Sequence, residues 1–207
     1  METIINYYDL GLYQGREIKM FIDICNFNNW DYRIYGFEAH PEFSKKIKNL
    51  YSANKKVEIF NKAISNEYKL ERLYLAPLNA GEGNSIFSTK NNVDESFIEV
   101  EGISFSGFLN SQTNFKNNFN ILRFNIEGAE WHLMQDLINN QLNQYFQIYC
   151  GSTSDMPKVH ELKQHIPTYN NLLLNNNIHT YRFTFWKPEL NDNLEELIKN
   201  KLSTWKK

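Results

Sequence analysis

In the N-terminal part of the chain, short apolar runs alternate with segments whose apolar residues return at helical spacing, and few folds accept that order. Thr3 to Tyr8 is a β-branched and aromatic run that stops at Asp9-Leu10-Gly11, as a buried strand does on entering a turn. Ile18, Phe21, Ile22 and Cys25 follow at helical spacing until the Asn26 to Asn29 cluster ends the segment. Tyr32 to Phe37 reads as a second strand, Pro41 opens a second helix with Phe43, Ile47 and Leu50 on one face, and Val57 to Phe60 is a third strand. Strands joined by helices form a parallel sheet with right-handed crossovers, so the expected class is α/β, a doubly wound, mostly parallel sheet with helices on both faces.

The rest of the chain is read the same way. Leu70 to Leu75 and Phe97 to Ile103 are expected strands flanking a polar, Gly-containing loop, Asn79 to Lys90, which belongs at the mouth of a site. Asn120 to Ile126 reads as a buried strand, Ala129 to Ile138 as a helix and Tyr145 to Cys150 as a strand. Val159 to Asn175 is expected as a helix bent near Pro167, Ile178 to Trp186 as an edge strand, and Glu189 to Trp205 as a closing helix begun by Pro188. Neither a repeat nor a linker interrupts residues 1–207, so one domain is expected, long enough to bury well over half of its unfolded surface.

Charge and apolar patterning narrow the partners. Lys and Arg number 22 against 24 acidic residues, which leaves no basic surplus to neutralise phosphates, so nucleic acid is not the expected partner. No apolar run approaches the roughly 20 residues of a membrane span, and METIINYYDLG lacks the basic start and apolar core of a secretory signal. The expected location is cytoplasmic, with Cys25 and Cys150 as buried free thiols in a reducing compartment.

Three strand ends carry the chemistry. Gly11 and Gly15, in Asp9-Leu10-Gly11-Leu12-Tyr13-Gln14-Gly15, let the chain turn sharply between a strand and a helix N-terminus with unpaired N–H groups; a strand-to-helix turn that needs glycine explains them equally well. Glu38 ends the second strand, where a carboxylate can accept hydrogen bonds from both hydroxyls of a ribose; alone it is also a solvated loop acid. Asn125, Glu127 and Glu130 follow an apolar strand at the same edge of the sheet, although Glu130 also suits the first turn of the next helix.

Taken together, Asp9-x-Gly11-x-x-x-Gly15, Phe37-Glu38-Ala39-His40-Pro41, Asn61-Lys62-Ala63-Ile64-Ser65 and Ile126-Glu127-Gly128-Ala129-Glu130 resemble the FkbM-type methyltransferases, a branch of the class I S-adenosylmethionine enzymes, over roughly residues 4 to 150. Asn79 to Phe87, with Gly81, Gly83 and Ser85, is similar to the family's Gly/Ser loop. The resemblance implies a Rossmann-like class I sheet and S-adenosylmethionine as cofactor, with S-adenosylhomocysteine as product. It places Asp9, Gly11 and Gly15 around the methionine part, Glu38 on the ribose and Asn61, Lys62 and Ala63 beside the adenine, with Tyr13, Ala39 and Asn125 completing the cofactor set. Two departures stand out: Leu12-Tyr13 replaces the family's Ala-Asn, and Asn125 replaces the usual acid at the end of the fourth strand.

Members of that family are associated with O-methylation of sugars and secondary hydroxyls, which implies a sugar or glycan hydroxyl as acceptor. A first strand that begins almost at Met1 leaves no N-terminal lid, which fits one domain of a larger glycan-modifying polypeptide. Asn125 cannot take a proton at neutral pH, so the base candidates are Glu127 first, then Asp155 and His132. The need for a divalent metal stays open, with Asn125 arguing against it. Tyr13, Phe87, Tyr149 and Trp186 are candidates for stacking on a sugar ring, or ordinary core aromatics. Two rivals remain: an NAD-dependent oxidoreductase, for which Gly-x-Gly-x-x-Gly is missing, and a non-catalytic nucleoside-cofactor-binding module of the same fold.

Overall fold

The alternation read from the sequence is realised as β1 (Ile4–Leu10), α1 (Arg16–Phe27), β2 (Asp31–Phe37), α2 (Pro41–Leu50) and β3 (Val57–Phe60). The structure, a computed structural model, describes residues 3–77, 83–151 and 155–205; Gly81, with the start of the Asn79 to Lys90 loop, and Ser152 to Ser154 lie outside the described residues. Three later strands, β7 (Phe119–Phe124), β8 (Phe146–Gly151) and β9 (Thr180–Tyr181), complete a six-stranded sheet of order β3-β2-β1-β7-β8-β9 in which every pairing is parallel. β1 therefore has β2 on one side and β7 on the other, and the crevice beyond its C-terminal end is the topological switch point where such sheets bind ligands.

Period-2 alternation along β1 sends its side chains to two separate cores. Ile5 and Tyr7 pack with Ile18, Phe21 and Cys25 of α1, Ile47 of α2 and Leu194 and Ile198 of α6 (Leu194–Thr204). Phe21 stacks on Tyr7 with ring centroids 4.2 Å apart. Tyr8 and Leu10 face the opposite way, onto Phe105 and Leu109 of α3 (Phe105–Ser111), Leu133 and Leu137 of α4 (Glu130–Asn139) and Tyr169 of α5 (Ile166–Asn175). The sheet is doubly wound, with helices on both faces, as expected.

The expected middle strands form a separate sheet, β4 (Ala63–Ser65), β6 (Phe97–Ser104) and β5 (Lys69–Tyr74) in the order β4-β6-β5, with β5 and β6 antiparallel from Lys69↔Gly102 to Tyr74↔Phe97. β4 and α3 are too short to show a periodic pattern. α3 begins because the Ser104 hydroxyl accepts the Gly107 N–H at 3.1 Å.

Three expectations change near the C-terminus. The Val159 to Asn175 helix is a 3-10 stretch, His160–His165, followed by α5, whose first turn accommodates Pro167 because no N–H is needed there. Pro188 starts a single 3-10 turn, and α6 begins later, where the Asn193 side chain accepts the Glu196 N–H. The Ile178 to Trp186 edge strand keeps only β9, because side chains satisfy the next donors: Asp192 accepts the Arg182 N–H and Asn191 the Thr184 N–H. Cys25 and Cys150 are buried and free, and no helix among the described residues is long and apolar enough to cross a membrane.

Candidate active site

Backbone hydrogen bonds stitch three strand tips together. The Gly11 N–H donates to the Phe37 carbonyl and the Asn125 N–H to the Leu10 carbonyl, each at 2.9 Å. Gly11 has φ +85°, and a Cβ there would lie 2.0 Å from the Asn125 carbonyl oxygen, so the close approach of β1 to β7 requires glycine. Tyr13 is left-handed as well, at φ +50°, which aims its N–H at Glu38 Oε2, 2.8 Å away. The other oxygen of Glu38 accepts the His40 N–H at 2.8 Å. Burial pushes the Glu38 carboxyl up, while the N–H groups of His40, Tyr13 and Leu12 pull it back.

Beyond these tips opens a cleft of about 790 Å³, lined by Gly11, Tyr13, Glu38, Ala39, Lys62 and Ala63 of the expected cofactor set, with Asn125 and Glu127 at one end. Ile64, Leu73 and Ile86 from the small-sheet side give it an apolar wall. Asp9, Gly15 and Asn61 do not line it. Asp9 belongs to β1 rather than to the turn, and its carboxylate lies beneath the floor, 3.0 Å from the Arg123 guanidinium. Gly15, at φ +69°, caps α1 against Ile47, and Asn61 spends its amide on the carbonyls of Glu38 (3.0 Å) and Ala39 (2.8 Å), fixing the loop that bears them.

Arg123 organises the floor. Its guanidinium also donates to the Gly11 carbonyl at 2.7 Å and to Glu17 Oε1 at 2.8 Å, and Arg123 and Glu17 both line the cleft. Burial raises the Asp9 carboxyl against the pull of Arg123, and Asp9 Oδ2 has no hydrogen-bond partner. Glu17 further receives the Phe185 N–H at 3.4 Å, which brings Trp186 to the mouth of the cleft.

A second, larger cleft of about 1720 Å³ lies alongside, lined among others by Lys90, Asp155, Lys158, Thr180, Arg182 and Thr184. The two clefts share Gly83, Arg123, Asn125, Glu127 and Trp186, so Asn125 and Glu127 stand in the wall between them. Glu127 Oε2 lies 2.7 Å from the Lys90 ammonium, and Asp155 Oδ1 lies 2.8 Å from Lys158. Burial pushes the Glu127 carboxyl up, the neighbouring Asp155 charge raises it further, and Lys90 opposes both. Glu130, in contrast, turns away from both clefts: its carboxyl accepts the Ile126 and Gly128 N–H groups at 2.8 Å each and so holds the turn that presents Glu127.

Other candidates stand elsewhere. His132 lines neither cleft and packs against Phe87, ring centroids 5.4 Å apart, and burial lowers its pKa. Phe87 and Tyr149 are buried core aromatics, leaving Tyr13 and the 53% exposed Trp186 as ring-sized surfaces in the clefts. Among the described residues no group of three or more His, Cys, Asp or Glu is placed to hold a metal ion. Sequence reasoning misses Arg123, Glu17 and Lys90. Arg123 carries a signal, a charge inside an apolar strand that requires buried partners, whereas Glu17 and Lys90 sit in ordinary polar contexts.

A family model described as the methyltransferase FkbM domain matches residues 9–183. Among solved structures, that of methyltransferase FkbM from Methylobacillus flagellatus KT is similar at a TM-score of 0.49 with 9% sequence identity, covering 84% of this chain and 37% of that one. The chain thus spans little more than a third of that protein's length. No curated protein matches the chain.

Proposed function

The chain belongs to the FkbM methyltransferase family, and from that premise we propose that it transfers a methyl group from S-adenosylmethionine to a hydroxyl of a sugar or glycan. One observation carries the reading: two clefts meet at a single wall that holds Asn125 and Glu127, one cleft suited to a nucleoside and the other to a polar acceptor. The first cleft fits the cofactor's parts in order. Glu38 keeps acceptor capacity for a ribose hydroxyl beyond the backbone N–H groups that hold it, Ala63, Ile64 and Leu73 offer an apolar face to a base, and Glu17 with Arg123 presents both signs of charge to an amino-acid end.

When bound, S-adenosylmethionine supplies a methyl group on a sulfonium. The protein's own contribution is alignment, with effective molarities that reach about 10⁵ M or more in well-oriented systems, and removal of the acceptor's proton. Glu127 is the group for that proton, because it lies in the shared wall and Asn125 beside it cannot accept one. Trp186 reaches both clefts with half of its surface exposed, as a ring that stacks on a sugar would. The free, buried thiols of Cys25 and Cys150 accord with a reducing, cytoplasmic setting.

Calorimetry with S-adenosylhomocysteine and with NAD, followed by transfer of labelled methyl groups to a glycan panel, tests this. Binding of the first ligand and labelling of a glycan is the expected result. Binding of NAD alone would replace the reading with an oxidoreductase; homocysteine-ligand binding without transfer to any glycan would leave a nucleoside-binding module.

A further inference from the structure

Lys90 is withdrawn from water, with its side chain 1% exposed, yet neither cofactor binding nor substrate stacking gives it a task. Its ammonium donates to Glu127 Oε2 at 2.7 Å and to the Gly83 carbonyl at 2.8 Å, and stands 3.7 Å from Asp155 Oδ1. Main-chain bonds make that placement firm: Lys90 pairs with Val159 across an isolated bridge, and the Asn91 N–H donates to the Lys158 carbonyl at 3.0 Å. Three distant segments, around 90, 127 and 155–158, therefore converge on one ammonium.

The carboxyls of Glu127 and Asp155 thus flank one ammonium, and burial and the Asp155 charge push the Glu127 carboxyl up. Two like charges so close to one cation repel, so the pair favours holding a single proton. The charged groups facing the pair are Lys90, Lys158 on the Asp155 side, Arg123 in the shared wall and Glu130 behind the turn.

Resting on the methyltransferase reading, we propose that Lys90 is a positioning residue: its ammonium seats Glu127 and Asp155 as a pair that exchanges a single proton, the proton that the acceptor hydroxyl gives up. As the acceptor oxygen forms its bond to the methyl carbon and the carbon–sulfur bond breaks, with its electron pair left on sulfur, the hydroxyl proton passes to the unprotonated pair. The pair then holds that proton and returns it to solvent. Lys90 makes the unprotonated state accessible, because burial and the Asp155 charge both push Glu127 up and the Lys90 ammonium works against them. Asp155 stays below the usual range, since Lys158 and Lys90 outweigh its own burial.

The experiment is a ¹³C NMR titration of side-chain carboxyls on the full chain and on Lys90→Met and Lys90→Arg, with Glu127→Gln to assign the signal, alongside S-adenosylhomocysteine calorimetry. In Lys90→Met the midpoint of the pair is expected to rise by about one pH unit or more, as loss of an adjacent opposite charge requires. In Lys90→Arg it stays near the parent value, and cofactor-product affinity changes less than about twofold in both. The acidic limb of kcat/KM follows the same displacement. An unmoved midpoint in Lys90→Met overturns the proposal. Failure of the parent chain to bind S-adenosylhomocysteine instead removes the methyltransferase reading and leaves the titration to judge Lys90. Should Lys90→Met not fold, Asp155→Asn serves: it is expected to lower the Glu127 midpoint, and no change there refutes the pairing.

Discussion

Beneath the first cleft Arg123 joins Asp9 and Glu17, and in the wall between the clefts Lys90 joins Glu127 and Asp155, so both regions set two carboxyls around one cation. Their surroundings differ. The Arg123 group rises from the central strands β1 and β7 and helix α1, is buried throughout, and uses the guanidinium fork to hold Asp9, Glu17 and the Gly11 carbonyl at once. The Lys90 group rises from loops, opens onto the second cleft, and sets two carboxyls at 2.7 and 3.7 Å from one ammonium. Equal charge counts thus give a fixed frame in one place and a proton site in the other, because an immobile fork defines geometry whereas a point charge beside two neighbouring carboxyls tunes their titration.

The largest test of this contrast is Arg123→Met. It strands Asp9 and Glu17 in the core, and denaturant unfolding should report a loss of about 3–5 kcal/mol. Lys90→Met should lose only about 1–2 kcal/mol, because Glu127 can stay protonated. Equal losses would erase the distinction between frame and proton site.

Next in size is Glu38→Ala, expected to weaken S-adenosylhomocysteine binding by about 1–3 kcal/mol through ligand hydroxyls left unpaired. Calorimetry that finds full affinity would remove Glu38 from the site, and with it the convergence of the first two strand tips.

A smaller effect sharpens the role of Glu130, whose carboxyl is pushed by burial from 4.5 up to about 7. A raised carboxyl binds its proton more tightly in the folded chain, so this group favours folding at low pH and that contribution is lost as pH rises from 4.5 to about 7. Melting temperatures are therefore expected to be higher near pH ~5.5 than near pH ~7.5, with Glu130→Gln reducing the difference and Asp9 and Glu127, raised by burial in the same direction, keeping the rest. A parent chain that melts identically at both values would show that other groups cancel Glu130. Smallest of all is the response to metal: activity with EDTA should match activity with Mg²⁺, since the cation at the carboxyl pair is already the Lys90 ammonium. A strong loss with EDTA would set the wall between the clefts in a different light.

Much of the frame is legible in the sequence. The buried run Thr3 to Tyr8, the glycine-bearing turn and the helical spacing of Ile18, Phe21 and Cys25 are local patterns, and each corresponds to an observed element because local steric rules and one-sided burial decide it. Glu38 and Asn125 fall at strand tips for the same reason, and both line the first cleft. The shortened edge strand is not legible, since Asn191 and Asp192 take the ladder's donors only after the chain has turned back. Nor is the displacement of Asp9 from the cleft, which follows from a guanidinium far along the chain.

By itself, then, the sequence determined the alternating order of strands and helices, the parallel sheet and the three tips that meet at its switch point, because periodicity and glycine act over a few residues. Only the tertiary structure decided which charges become partners, setting Arg123 in the floor over Asp9 and Lys90 beside Glu127, because burying a charge demands a counter-charge and long-range packing alone chooses where that counter-charge comes from.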